Sequence, residues 1–373
     1  MEIIDELPIR KKGRKPGKEL EELEKEQYEE DNFNEVPPID IVAFNELRSC
    51  ADLLRLYTTN QLEIQPDFQR QVVWSNPAQT RFIDSLSKQL PIPSMCISLD
   101  YKTDKRLIID GLQRMQSIIN FLSDDKWELS ELDDIDAEIS GKTVHTIKTK
   151  SKNIYDRVQN VMIPITVIRC DYSKKSHNEY LFTIFHRLNS GGLKLNNQEI
   201  RNCIYNGSLN TFLKHLTQND TWKKLLSIKA SKNYRFSNEE LILRFFAFVD
   251  RLDNYNGRLS NFLNQYMFDM REPGEQFVLE KTNLFERTTK LIYEKLLEKK
   301  SAASFSKTLF EGLLYGVAEN IDSLEQKTIP DLKMLFQTFQ NLPDYSLDSL
   351  KGGLSAREKV ITRLTASETC FSN

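Results

Sequence analysis

Strand-like patterning stops near residue 170, and that break constrains the fold more than any other feature of the chain. Before it, MCISLDY (95–101), a turn at TDK (103–105) and RLIID (106–110) read as a β-hairpin. LEIQ (62–65) reads as a short strand and VMIPITVIRC (161–170) as a longer one. After it, apolar residues recur at helical spacing in LILRFFAFV (241–249), in 275–299 and in SFSKTLFEGLLYGVAENI (304–321). Strands gathered into one half, followed by helices alone, predict an α+β domain over 37–175 and an all-helical domain over 176–373.

Within the front half, ELRSCADLLRLY (46–57) suggests a helix. Asn76-Pro77 starts a second, since Asn caps well and Pro suits the first helical position. Its Phe82, Ile83, Leu86 and Leu90 share a face, and Pro91-Ile92-Pro93 stops it. LQRMQSIINFL (112–122) is apolar at helical spacing. Ser176 with Glu179 and Ser237 with Glu240 have the spacing of capping boxes. Residues 124–138 carry eight carboxylates against Lys126, while 142–175 carry eight Lys or Arg against Asp156 and Asp171.

Residues 1–36 read as a charged, disordered tail. RKKGRKPGK (10–18) is basic, ELEELEKEQYEED (19–31) is acidic, and neither has apolar residues enough to offset chain entropy. The whole chain is near neutral, at a net charge of −3, which argues against a dedicated duplex-DNA binder. No run of 18 apolar residues occurs, so no transmembrane helix and no membrane partner is expected. The N-terminus has no apolar core of a secretory signal. Five scattered cysteines without a C-x-x-C pair suit reduced thiols in a cytoplasmic protein and argue against a structural zinc site. There is no G-x-S-x-G elbow, no Walker A loop and no H-E-x-x-H.

Three segments could carry chemistry. In IIDGLQR (108–114) a strand ends at Asp110-Gly111 and a helix begins with Gln113 and Arg114 in its first turn. A helix N-terminus offers N–H groups to phosphate, Gly111 lets backbone approach a ligand, and Arg114 has a planar fork. Asp110 can hold magnesium or orient a water. Truncating Arg114 is then expected to cost nucleotide binding but little stability; the competing reading is an Asp-capped turn with Arg114 facing solvent. In IQPDFQRQVVW (64–74) an extended segment presents Gln69 and Arg70 beside Phe68 and Trp74; alternatively the aromatics are core and Arg70 is a surface ion pair. In FHRLNSGG (185–192) a helix ends in a good C-cap, and Arg187 and Asn189 could also reach a polyphosphate.

Taken in order, these motifs resemble the N-terminal domain family of GmrSD-type modification-dependent restriction enzymes. The matching positions are Pro66–Trp74, the helix at 77–90, Pro91–Pro93, Ile108–Arg114, Ile163–Ile165, and Arg187–Gly191 with Leu195 and Glu199; they span about 45–216. The family pattern has Gln where Leu112 stands, and no HNH-type cluster of His and Asn is present near the C-terminus. The resemblance implies a ParB/sulfiredoxin-like nucleotide-binding fold and an NTPase acting in prokaryotic anti-phage defence. It implies a site in which Asp110, Gln113 and Arg114 are catalytic and Gln69, Arg70, Gly111, Arg187 and Asn189 bind nucleotide, with Mg2+ as cofactor and no protein-held metal. Implied partners are a nucleoside triphosphate, DNA and a separate nuclease or effector subunit; the sequence leaves the oligomeric state open. A non-hydrolysing ParB-like DNA- or nucleotide-binding module and a DNA nickase are the alternatives.

Overall fold

The computed structural model describes residues 37–64, 74–188, 195–227, 237–303, 305–350 and 353–373. Contacts gather into two units, Asn34–Ile204 and Tyr205–Asn373.

The first unit is mixed α+β. In chain order it runs β1 (Val42–Ser49), α1 (Cys50–Thr58), β2 (Leu62–Glu63), α2 (Asn76–Ser87), β3 (Met95–Asp100) and β4 (Arg106–Asp110). There follow α3 (Leu112–Ser123), α4 (Val144–Lys150), α5 (Lys152–Asn160), β5 (Met162–Cys170), α6 (Lys175–Leu188) and α7 (Asn197–Ile204). The strands make one sheet in the order β1-β5-β3-β4-β2. β1 is antiparallel to β5, β5 parallel to β3, β3 antiparallel to β4, and β4 parallel to β2.

Period-two alternation sends two sets of side chains to opposite faces. Ile97, Ile108, Ile163, Ile165 and Val167 enter a core shared with Leu53 and Leu56 of α1, Ile83 and Leu86 of α2, Met115 and Ile118 of α3, and Ile154 and Val158 of α5. On the opposite face Cys96, Leu107, Ile109, Ile168 and Cys170 are buried as well. There α6 packs on β4 and buries Leu181, Phe182 and Phe185. A sheet buried on both faces explains why the runs at 106–110 and 161–170 read as nearly continuous hydrophobics.

One expectation needs correction. Residues 46–49 belong to β1, not to a helix; the helix starts at Cys50, where Ser49 caps it by accepting from the Asp52 N–H at 3.1 Å. The contacts divide the chain between Ile204 and Tyr205, since α6 docks on the sheet and α7 packs on α6. The tail at 1–36 lies outside the described residues.

The second unit is helical among the described residues. It contains α8 (Ser208–Thr217), α9 (Asp220–Leu225), α10 (Ser237–Arg251), α11 (Leu259–Asp269) and α12 (Glu275–Leu291), which runs on into a π-helical turn at Ile292–Leu296. α13 (Lys307–Glu319), α14 (Ile321–Leu324), α15 (Ile329–Gln340), α16 (Leu347–Leu350) and α17 (Arg357–Ser372) complete it. Trp222, Phe245, Phe246, Phe285 and Phe310 meet in an aromatic core with ring centroids 5.2–6.4 Å apart. α13 packs tightly against Tyr345 and against α17: a Cβ at Gly312 would fall on the Tyr345 hydroxyl, and one at Gly316 would lie 2.8 Å from the Ser367 carbonyl oxygen. Between them Glu311 accepts from Arg244 at 3.5 Å and Arg363 at 3.4 Å, all three buried.

Candidate functional site

The turn from β4 to α3 needs glycine for two reasons. Gly111 has φ +100°, a region closed to most L-residues, and a Cβ there would stand 2.7 Å from Met95 Cγ on β3. The chain therefore leaves the sheet at Asp110 and enters α3 within one residue. Gly111 is the N-cap and no side chain caps the first turn, although the Gly111 carbonyl accepts from the Met115 N–H at 2.9 Å.

Asp110 and Arg114 are joined across this turn. Arg114 Nη2 donates to Asp110 Oδ2 at 2.6 Å, an i,i+4 ion pair. Arg114 Nη1 donates to the Pro93 carbonyl and, at 3.3 Å, to the Ser94 carbonyl. Its side chain is only 12% exposed, against 42% for Asp110. So Arg114 is not a solvent-facing residue: it ties the first turn of α3 to the segment leading into β3. Asp110 Oδ1 stays clear of hydrogen bonds among the described residues. Beside it in the sheet, Cys96 is pushed up to about 12 by burial and then by the Asp110 charge.

Gln113 is engaged as well. Its Oε1 accepts from the Trp74 N–H at 3.2 Å. A run of amides continues from there: Gln79 Nε2 donates to the Trp74 carbonyl at 3.1 Å, Asn120 Nδ2 to Gln79 Oε1 at 3.0 Å, and Gln116 Nε2 to Asn120 Oδ1 at 2.8 Å. The Trp74 ring meets Phe82 edge-on at 5.7 Å. These contacts fix the residue that follows the Gln69-Arg70 segment. Leu112, where the family pattern has Gln, leans on the hydrophobic core.

The structure thus brings Asp110, Gly111, Gln113 and Arg114 into one helical turn. Arg187 stands exposed in the last turn of α6, the helix that packs on β4. Gln69, Arg70 and Asn189 lie outside the described residues. Sequence reasoning missed the Pro93 and Ser94 carbonyls and the Gln79–Asn120–Gln116 amides. The first had a signal, since two prolines fix an extended segment just before β3; the second had none. It named Glu199 but not the buried polar residues beside it on α7, Gln198, Arg201 and Asn202. Glu199 forms a capping box there, accepting from the Asn196 N–H at 2.6 Å while Asn196 Oδ1 accepts from the Glu199 N–H at 2.9 Å.

Among the described residues no group of three or more His, Cys, Asp or Glu could hold a metal ion by itself, and no helix is long and apolar enough to cross a membrane. A single carboxylate beside polyphosphate oxygens and water is nonetheless an ordinary way to hold magnesium, and Asp110 has that form.

Residues 50–206 match the family model described as the GmrSD restriction endonuclease, N-terminal domain. No curated protein and no solved structure matches the chain.

Proposed function

We propose that the first unit is a ParB-like nucleoside-triphosphate-binding module, hydrolysing its ligand in the service of a restriction or anti-phage defence system. The family of 50–206 supports the setting. The observation that carries the chemistry is Asp110 Oδ1, a carboxylate oxygen that takes no hydrogen bond among the described residues, on a side chain 42% exposed at the start of a glycine-capped helix. Phosphoryl transfer is mostly positioning and charge stabilisation, so one carboxylate, a helix N-terminus and arginines form an adequate set.

In this reading the triphosphate meets the N-terminal turn of α3, whose dipole favours anions. Asp110 would hold Mg2+, which neutralises phosphate charge when bound. Arg114 turns from the Asp110 carboxylate toward phosphate oxygens, a short swing because both partners lie over the same turn. Gln69, Arg70, Arg187 and Asn189 complete the set of ligands. DNA and a separate nuclease or effector subunit are the partners such a module would address.

A second reading is favoured by a specific observation. Arg114 is already satisfied by Asp110 and two carbonyls, and a closed pair of this kind suits a module that binds nucleotide without turning it over. Phosphate release decides between them, measured on the full chain with ATP, GTP, CTP and UTP in magnesium, with and without DNA. Release with one nucleotide, lost in Asp110→Asn, supports hydrolysis. Binding without release supports the second reading, and nicking of plasmid DNA in magnesium supports a nickase.

A further inference from the structure

The sheet has two edges, and they differ. β2, at one end, is two residues long, and shortness is itself protection against stray pairing. β1, at the other, is eight residues long and runs in unbroken register from Val42 opposite Arg169 to Ser49 opposite Met162, so no bulge turns it away. It contains neither Lys nor Pro. Instead it exposes Val42 (48%), Phe44 (40%) and Leu47 (63%), with Met162 of β5 (49% exposed) beside them. Among the described residues nothing pairs with its outer side.

The charges on this strand indicate what does. Glu46 and Arg48 are its only charged residues; they flank Leu47 and point to the same face. We propose that the outer edge of β1 is where two copies of this chain pair, antiparallel, about a two-fold axis through Leu47. That axis sets Glu46 of each copy opposite Arg48 of the other and Leu47 against its own counterpart, with Asn45 facing Ser49. An axis through Glu46 would oppose like charges. One through Asn45 would set Phe44 against Glu46 and Val42 against Arg48. Of these three only the Leu47 register matches charge to charge and seats Leu47 on its own counterpart; it pairs residues 45–49 and leaves Val42 and Phe44 outside the paired stretch. Arg48 grips Glu46 at 2.6 Å and Asp52 at 2.6 Å within its own chain, so pairing exchanges its own Glu46 for that of the second copy while Asp52 still holds it. The partner is a second copy because the complementarity lies within the strand itself.

Sedimentation equilibrium of the full chain tests this. Wild type is expected as a dimer. Leu47→Lys, an exposed change, yields a monomer with an unaltered melting temperature, while Met334→Lys, at an equally exposed methionine of the other unit, stays dimeric. Glu46→Arg and Arg48→Glu each lose the dimer, and the double variant regains it. A monomeric wild type overturns the proposal, whether the edge is bare or covered by the chain's own first residues. A dimer indifferent to Leu47→Lys overturns it too, as does a charge swap that fails to restore pairing while the double variant melts like wild type.

Discussion

Gly111 and Arg114 show how packing and site chemistry share the same few atoms. At Gly111 both the positive φ and the approach to Met95 exclude a side chain, so Gly111→Ala should cost at least about 2 kcal/mol, from the left-handed backbone and the contact together. Urea unfolding followed by circular dichroism would measure it; a loss below about 0.5 kcal/mol, the scale of ordinary surface changes, would show that the turn relaxes. The sequence offered two readings of Arg114, a phosphate fork and a solvent-facing group, and in neither was it expected to hold the fold together. Its carboxylate partner and two carbonyl partners make it a structural tie. Arg114→Ala should therefore destabilise by about 2 kcal/mol, the scale of hydrogen bonds to a charged group, beyond any effect on nucleotide. Unchanged unfolding in this variant would restore the surface reading.

Among elements, the lead-in to β1 is clipped to the start of α6. Asp40 pairs with Lys174 and, at 2.9 Å, with His177 Nε2. His177 Nδ1 accepts from the Asp171 N–H, which leaves the ring proton on Nε2 facing Asp40. Hydrogen bonds from Lys174 and then His177 hold the Asp40 carboxyl down at about 2. Burial works to raise Asp171, but Lys102 and Ser173 outweigh it and keep it well below the usual carboxylate range. Both folded values are depressed, so the clip contributes fully above the unfolded value near about 4 and is lost as pH falls through the folded values. Melting temperature should fall between about pH 4 and pH 2, and Asp40→Asn should flatten that slope while lowering stability at neutral pH. An Asp40→Asn acid limb identical to wild type would remove the clip from the account. In the helical unit, Gly312→Ala should cost more than about 2 kcal/mol, since the new methyl falls on a Tyr345 hydroxyl already bonded to Ser367 at 2.6 Å. Thermal melting reads this, and a shift within a degree or two would mean that Tyr345 simply moves aside.

Legibility followed burial at this scale. β3, β4, β5, α2 and α3 showed in the sequence because each buries a clear stripe or face. β1 did not, because an exposed edge strand has no alternation to read, and ELRS (46–49) continues smoothly into helical spacing. The capping signal was nevertheless present in Ser49 with Asp52. Ser176–Glu179 misled in the opposite sense: α6 starts at Lys175, and Asp171 organises the turn by accepting from the Ser173 N–H at 2.9 Å.

For the whole molecule, an α+β front and a helical back were legible, since periods of 2 and 3.6 separate cleanly along the chain. The docking of α6 on the sheet was not, because nothing in KSHNEYLFTIFHRL distinguishes a helix laid on a sheet from one in a bundle. Of the candidate site, Asp110 through Arg114 was legible as a strand–glycine–helix turn. The tie to Pro93 and Ser94, some twenty residues earlier in the chain, was not, since long-range carbonyl partners leave no local pattern.

The central claim is that this turn receives a triphosphate, and calorimetric titration of ATP, GTP, CTP and UTP with magnesium into the full chain tests it most directly. The account predicts that at least one nucleotide binds wild type and that Asp110→Ala weakens it at least about tenfold, the equivalent of about 1.4 kcal/mol, in protein confirmed as folded by its melting curve. Arg114→Lys, which keeps the charge but not the planar fork, should bind between the two. No binding by any of the four nucleotides, or an Asp110→Ala variant that binds as tightly as wild type, would contradict it.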